Sequence, residues 1–300
     1  MDRKKEIQGH LFSIFTIFIW GTTFISTKIL LKAFTPIEIL FIRFVIGYFA
    51  VLALHPHRLN VKERKQELYF AGAGLCGITL YFLLENIALT YTLASNVGVI
   101  ISIAPFFTAI FAHLFLDGEK MRTQFFVGFA VAVAGIFLIS FNGSSQLKLN
   151  PLGDILAVLA AVVWALYSVL TKKISRYHYH TILVTRRIFF YGLLFMMPVL
   201  FIFKFEPDIG QIMEPVNLFN ILFLGFGASA ICFVTWNYAL TILGAVKTSV
   251  YIYMVPVITV ITSVLILHET ITGTAVLGIL LTLAGLIISE IKLPFRSRNK

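Results

Sequence analysis

The sequence predicts an all-α integral membrane protein of ten transmembrane helices, arranged as two inverted-topology repeats of five helices each. Three observations lead there: the composition, a regular series of apolar runs, and a match between the two halves of the chain. Apolar residues make up 59% of the 300 residues and charged residues 13%, with 30 Phe against 14 acids. Mean hydropathy is +0.92, whereas a soluble domain carries roughly 25% charge. A soluble globule of this size cannot hide so much apolar surface. The first partner predicted is therefore the lipid bilayer.

Taken in order, apolar runs fall at about 9–29, 37–54, 68–89, 95–115 and 124–141, then at about 153–172, 181–203, 217–240, 247–267 and 274–291. Each approaches the ~20 residues that cross a hydrocarbon core. The first is too long for a signal-peptide core and lacks a small-x-small exit, so it is read as a retained helix. Linkers are short, and the longest outer one, from Lys204 to Val216, holds Pro207, Gly210 and Pro215.

The net charge of +10 has to be read loop by loop, because Lys and Arg set orientation. With the N-terminus inside, the inner segments hold 17 of the 24 basic residues: Arg3, Lys4, Lys5, Arg58, Lys62, Arg64, Lys65, Lys120, Arg122, Lys172, Lys173, Arg176, Lys247, Lys292, Arg296, Arg298 and Lys300. The outer segments hold only Lys28, Lys32, Lys148 and Lys204, and Arg43, Arg186 and Arg187 fall within spans. This bias puts both termini on the cytoplasmic side of a multi-pass cell-membrane protein. No basic stretch is long enough to form a nucleic-acid module, so nucleic acid is not an expected partner. Cys76 and Cys232 lie in apolar runs and are read as small hydrophobes, with no disulfide or metal role.

The internal repeat appears when the chain is shifted against itself. A shift of 144 sets Gly9, Trp20, Thr27, Lys28 and Arg43 on Gly153, Trp164, Thr171, Lys172 and Arg187. A shift of 151 sets Asn86, Ala88, Leu89, Thr90, Ala94 and Pro105 on Asn237, Ala239, Leu240, Thr241, Ala245 and Pro256. A shift of 150 sets Glu119, Gly128 and Gly135 on Glu269, Gly278 and Gly285. The halves are divided as 1–145 and 146–300, the second ending in a short basic tail. Five spans is an odd number, so the second half enters the membrane from the opposite side. Such inverted repeats are common among secondary transporters, with the substrate site at the repeat interface near the midplane.

The matched residues also carry a family likeness. Trp20-Gly21-Thr22-Thr23-Phe24 followed by Lys28 resembles the opening signature of the EamA family in the drug/metabolite transporter superfamily. Asn86-x-Ala88-Leu89-x-Tyr91-Thr92-x-Ala94-Ser95, then Pro105 and Glu119, resembles that family's third-to-fourth helix segment, and Tyr238-Ala239-Leu240 through Pro256 to Glu269 is similar. One departure is visible: Pro105 to Glu119 is one residue longer than Pro256 to Glu269, at Asp117-Gly118. The resemblance implies a ten-helix carrier that moves small metabolites, often exporting amino acids or related compounds, by alternating access.

Several residues are candidates for that work. Trp20 and Trp164 each lie about eleven residues into a span, near the midplane at 1.5 Å per residue. They line an aromatic cavity or simply pack a Phe-rich core. Glu85, beside Asn86 in the third span, meets Trp236 in the second half and so breaks the symmetry. An intramembrane acid usually faces a cavity or a partner. Glu85 is read either as a site for a substrate ammonium or a coupling proton, or as a structural hydrogen-bonding group. Arg43 and Arg187 either snorkel to headgroups or gate the path by attracting a carboxylate.

Pro105 and Pro256 lie mid-span, where each removes a backbone donor, and are read as hinges. Tyr81, Asn86, Asn96, Ser102, Trp236, Ser249 and Tyr251 are the remaining candidates for substrate binding. Gly128, Gly135, Gly278 and Gly285 are read as permitting close helix packing, and Glu119 and Glu269 as complementing helix dipoles. No catalytic residue, metal or cofactor is expected. The rival function, an intramembrane enzyme, lacks a nucleophile motif, since Gly227-Ala228-Ser229-Ala230 misses the Gly-x-Ser-Gly pattern. Substrate identity, coupling ion (a proton being one candidate) and the choice between monomer and homodimer are open at this level.

Overall fold

The computed structural model describes residues 3–91, 94–117, 123–140, 150–267 and 272–290. The first half runs α1 (Arg3–Leu30), α2 (Pro36–Leu54), α3 (Arg64–Gly74), α4 (Tyr81–Tyr91), α5 (Ala94–Ile101), α6 (Ala104–Phe115) and α7 (Thr123–Ser140). The second runs α8 (Pro151–Ser175), α9 (Thr181–Ile202), a short α10 (Ile209–Met213), α11 (Pro215–Leu222), α12 (Cys232–Leu243), α13 (Ala245–Val250), α14 (Met254–Leu267) and α15 (Gly273–Glu290). Among the described residues, seven helical stretches are long and apolar enough to cross a membrane, and three shorter apolar ones complete the series. All ten predicted runs are thus helical, and α10 is a helical turn in the long linker.

Local chemistry explains where the helices begin. Thr35 and Glu38 close a capping box at the start of α2, with the Thr35 N–H donating to Glu38 Oε2 at 2.8 Å. Asn150 caps α8 through Gly153 N–H at 3.2 Å. Pro36, Pro151 and Pro215 occupy first-turn positions, where a missing N–H loses no intrahelical bond. The mid-span prolines obey the same logic. Pro105 lies in the first turn of α6, after α5 has ended at Ile101. Pro256 lies in the first turn of α14, after a 3-10 turn at Tyr251–Tyr253. The fourth and ninth spans are therefore interrupted just before each proline rather than bent within one continuous helix.

The third and eighth spans carry a feature that periodicity did not reveal. Each contains a π-helical segment, Leu75–Leu80 between α3 and α4 and Phe223–Ile231 between α11 and α12. Their last residues, Leu80 and Ile231, correspond at the shift of 151. Such widenings are rare and often mark functional sites. Here they lead directly into the stretches that hold Glu85 and Trp236.

The two halves interlock. α1 packs against α12 and α14, while α8 packs against α3, α4 and α6. α7 and α15 run side by side, and Gly128 and Gly285 permit the approach: a Cβ on Gly128 would lie 2.5 Å from the Gly285 carbonyl oxygen. Glu119 and Glu269 fall outside the described residues.

The bundle has two ends. Residues 3–10, 55–63, 175–181 and 243–247 share one, joined by Lys247 to Glu6 at 3.5 Å, by Arg186 Nη1 to the His55 carbonyl at 2.6 Å, and by Lys172 to the Thr241 carbonyl at 3.1 Å. This is called the basic end. Residues 30–36, 91, 94 and 202–215 mark the far end.

Candidate functional site

The helix turns that follow the π segment and the mid-length of α1 and α8 meet around a cleft with about 480 Å³ of atom-free space, its open mouth included. Trp20, Arg43, Tyr81, Glu85 and Trp164 all line it, with Phe24 and Phe82 among the apolar walls. Five side chains singled out from sequence, drawn from four helices, thus share one hollow. Thr23, Phe24, Arg43 and Glu85 sit in the parts of their helices nearer the far end, so this part of the cleft lies on that side of the tryptophans.

The aromatic floor is built from both halves. Trp20 and Trp164 meet edge-on with ring centroids 5.3 Å apart, and Trp236 packs behind them, 5.1 Å from Trp20 and 6.1 Å from Trp164. Phe233 adds a further edge contact to Trp20 at 5.6 Å. Trp20 donates its indole N–H to the Ala228 carbonyl at 3.0 Å, a carbonyl of the second π segment. Among the described residues the indole N–H groups of Trp164 and Trp236 are buried with no hydrogen-bond partner. Since buried donors are nearly always paired, the one on Trp164 is a donor in the cleft wall without an acceptor among the described residues.

Two opposite charges face this floor. Arg43 is 2% exposed, so it does not snorkel to a headgroup. Its Nε donates to Ser229 Oγ at 3.0 Å, and its guanidinium lies 4.5 Å from the centre of the Phe82 ring. Glu85 is 4% exposed. Tyr81, one turn earlier on α4, lines the same cleft, with its hydroxyl in electrostatic reach of the Glu85 carboxyl. Among the described residues no ion pair joins Glu85 to Arg43, and each charge keeps capacity for a third party. A buried charge is costly unless compensated, so the arrangement holds a cation and an anion apart across space that a dipolar molecule can fill.

The other sequence candidates lie elsewhere. Asn86 is fully buried against α2 and donates to the Pro36 carbonyl at 3.1 Å. Ser102 and Ser249 turn their hydroxyls onto carbonyls of their own helical segments, Gly98 at 2.7 Å and Val246 at 2.8 Å. Tyr251 meets His10 Nδ1 through its hydroxyl at 2.5 Å, near the basic end. Arg187 is tied to Glu67 at 2.5 Å and packs over Tyr191, away from the cleft. The side chain of Asn96 lies outside the described residues. Among the described residues no group of three His, Cys, Asp or Glu is placed to hold a metal.

A pair missed in the sequence brackets the site. Lys28, one turn beyond Phe24, reaches across to the Leu89 carbonyl at 2.7 Å, one turn beyond Glu85. Its repeat mate Lys172 donates to the Leu240 and Thr241 carbonyls at 3.4 and 3.1 Å. Each ammonium sits at the C-terminal carbonyls of the repeat-related helix, where cations are favoured. The signal was present as matched lysines, but their partners were not inferable from spacing.

A membrane-embedded bundle of two interlocked repeats, with a charged cleft at their junction, is the architecture of a transporter. The chain belongs to the EamA-like transporter family of the drug/metabolite transporter superfamily, whose family model matches residues 7–141 and again 151–290. It is 28% identical over 288 residues to a protein of Archaeoglobus fulgidus named "Uncharacterized transporter", covering 94% of this chain and 97% of that one. It is also 28% identical over 280 residues to a "Probable terminal-alkyne amino-acid exporter" of Streptantibioticus cattleyicolor, covering 92% and 91%. A solved crystal structure superposes with a TM-score of 0.74 at 20% identity, covering 94% of this chain and 97% of that one; that likeness speaks to the fold alone.

Proposed function

We propose that this protein is a secondary carrier that moves a small zwitterionic metabolite, an amino acid or close relative, across the cell membrane by alternating access. The observation that carries this is the placement of Arg43 and Glu85, two nearly buried opposite charges without an ion pair between them, on one cleft floored by Trp20 and Trp164. Arg43 is suited to a carboxylate, since a guanidinium fork matches its two oxygens. Glu85 is suited to an ammonium, and the tryptophans to an apolar side chain. The exporter name of the Streptantibioticus relative agrees with this class and favours export. We place both termini in the cytoplasm on the distribution of Lys and Arg, and read 1–145 and 146–300 as the two moving halves, with Pro105 and Pro256 at the interruptions where flexing is easiest.

An enzyme is the weaker reading, because the family and the names of the relatives point to a transporter. The test is counterflow in proteoliposomes: preload unlabelled amino-acid pools, add labelled tracers outside, and compare runs with and without a pH gradient. Transient tracer accumulation without a gradient is expected; none with any pool would overturn the carrier reading. Glu85→Gln should cut amino-acid counterflow by about tenfold or more, the loss of one charged hydrogen bond. It should also abolish any pH-gradient dependence if the same carboxyl carries a coupling proton. Unchanged rates and unchanged pH response in that variant would leave Glu85 structural.

A further inference from the structure

A second hollow, distinct from the cleft, opens near the basic end between the last turns of α8 and α12 and the first turn of α9. It encloses about 580 Å³ of atom-free space, open parts included. Thr171, Ser175, His178, Thr181, Asn237 and Thr241 line it, and among the described residues no acid does. Lys172 stands at its rim, bonded to the carbonyl of the lining residue Thr241.

The repeat shows which part of this polarity is particular to the second half. At the shift of 144, Ser175, His178, Thr181 and Val184 correspond to Leu31, Phe34, Ile37 and Leu40. Phe34, Ile37 and Leu40 are buried in apolar core at 5%, 2% and 0% exposure. Three polar lining positions are thus hydrocarbon in the other half, while Thr171, Asn237 and Thr241 keep their matches Thr27, Asn86 and Thr90. Hydroxyls inside a membrane bundle hydrogen-bond to their own helix, to a partner or to a ligand, and a hollow of this size leaves room for the last.

A thin barrier parts the hollow from the central cleft. Tyr167 donates its hydroxyl to Asn237 Oδ1 at 2.6 Å, and Asn237 Nδ2 donates to Thr185 Oγ1 at 3.0 Å. All three residues are buried. Tyr167 touches Trp164, a cleft residue, at 4.9 Å between ring centroids, while Asn237 belongs to the wall of the hollow. Gly77 lets Tyr167 lie flat against the first π segment, since a Cβ there would sit 2.2 Å from the Tyr167 ring. One hydrogen-bonded layer therefore stands between the Trp164 wall of the cleft and the Asn237 wall of the hollow.

We propose that the hollow is a docking site for the carboxylate-bearing end of the transported molecule at the basic end, and that the Tyr167–Asn237–Thr185 bridge is the barrier it must cross. The nearby Lys172 ammonium, with no acid in the lining among the described residues, favours a carboxylate; Ser175 and Thr241 already donate to the Lys172 and Asn237 carbonyls, so the Thr181 hydroxyl and the second proton of the Asn237 amide supply the directional hydrogen bonds. This inference rests on the carrier reading, yet it can fail alone.

The experiment replaces Cys76 and Cys232 by Ala, introduces S175C, and follows labelling by a membrane-impermeant maleimide in proteoliposomes. A mixture of the common amino acids should slow labelling by about threefold or more at saturation, whereas the corresponding amino-acid amides should not. Unchanged labelling with the amino acids overturns the docking site, and equal protection by the amides overturns the carboxylate assignment. Counterflow with the same mixture is measured in parallel and decides the carrier reading separately.

A second variant, S175L/T181I, rewrites the hollow with the residues of the other half. It should raise half-saturation for entry from the basic end by about tenfold, the value of one or two hydrogen bonds, while entry from the far end stays within about twofold. Equal change at both ends, or at neither, overturns the assignment.

Discussion

Arg43 and Arg187 occupy equivalent places in the two repeats, yet their surroundings make them different residues. Arg187 finds a carboxylate, Glu67, at 2.5 Å and sits partly exposed near the basic end. The position equivalent to Glu67, at the shift of 151, is Leu218. Arg43 therefore has no acid in that place; it has the Ser229 hydroxyl, the Phe82 ring, and Glu85 across the cleft. The partner that neutralises one arginine is missing from the other. An inverted repeat thus supplies a symmetric scaffold, and single replacements such as Glu67 against Leu218, or Glu85 against Trp236, decide which half holds ligand chemistry.

The comparison is broken most decisively by removing each arginine in turn. Arg43→Met should reduce counterflow by about 10- to 150-fold, the range for a charged hydrogen bond of about 1.5–3 kcal/mol. Arg187→Met should change it by less than about threefold, because an exposed pair contributes about 0–1 kcal/mol. Equal losses in the two variants would mean that both serve the transport path and that the asymmetry is only apparent.

The lysines give a sharper and smaller test, since here the two halves make the same contact at opposite ends. Lys28→Met should raise labelling of a cysteine at Thr23 from the far end, and Lys172→Met should raise labelling at Ser175 from the basic end. Each change should be about threefold, in keeping with one hydrogen bond. Matching changes at both ends in either variant would show that the lysines hold the bundle together generally rather than closing one mouth each.

The smallest effect concerns a feature of the basic end alone. His55 stacks on His180 at 4.8 Å and lies 4.8 Å from His57, while Arg186 holds the carbonyls of both His55 and His57. Desolvation, with the neighbouring His180, His57 and Arg186, lowers the His55 pKa below its ordinary 6.5. The unfolded chain then binds the proton more readily than the folded one, so this contribution to stability is complete above about pH 6.5 and falls as the pH drops below it. Thermal melts at pH 7.5 and pH 5.5 should show a slightly smaller acid loss in His55→Asn than in the native protein. An identical acid loss in both would exclude the cluster as its source.

Much of the fold was legible because membrane spans announce themselves by length and hydropathy, and because the repeat could be read in register from Trp20 and Trp164 to Pro105 and Pro256. Parts of the cleft were legible for the same reason: a midplane aromatic pair and an acid without a symmetry mate both stand out in an apolar chain. What stayed hidden depends on contacts between residues far apart in sequence. The burial of Arg43 needs Ser229, 186 positions away, and the lysine caps need carbonyls that spacing alone does not identify. Neither π segment has a compositional signature. Ser102 and Ser249 were drawn toward the site by their position beside the prolines, but a serine near a helix interruption satisfies the loose carbonyl next to it.

One consequence of the aromatic floor is optical. The chain holds three tryptophans, and all three rings lie together at the junction of the repeats. The ultraviolet emission of the whole protein therefore originates at a single place, and energy absorbed by the dispersed tyrosines drains toward it. The rings are near enough for their transitions to couple, so the near-ultraviolet dichroism should carry a signal set by their mutual tilt. Without any attached dye, the molecule reports in its own spectrum when the two halves shift against each other.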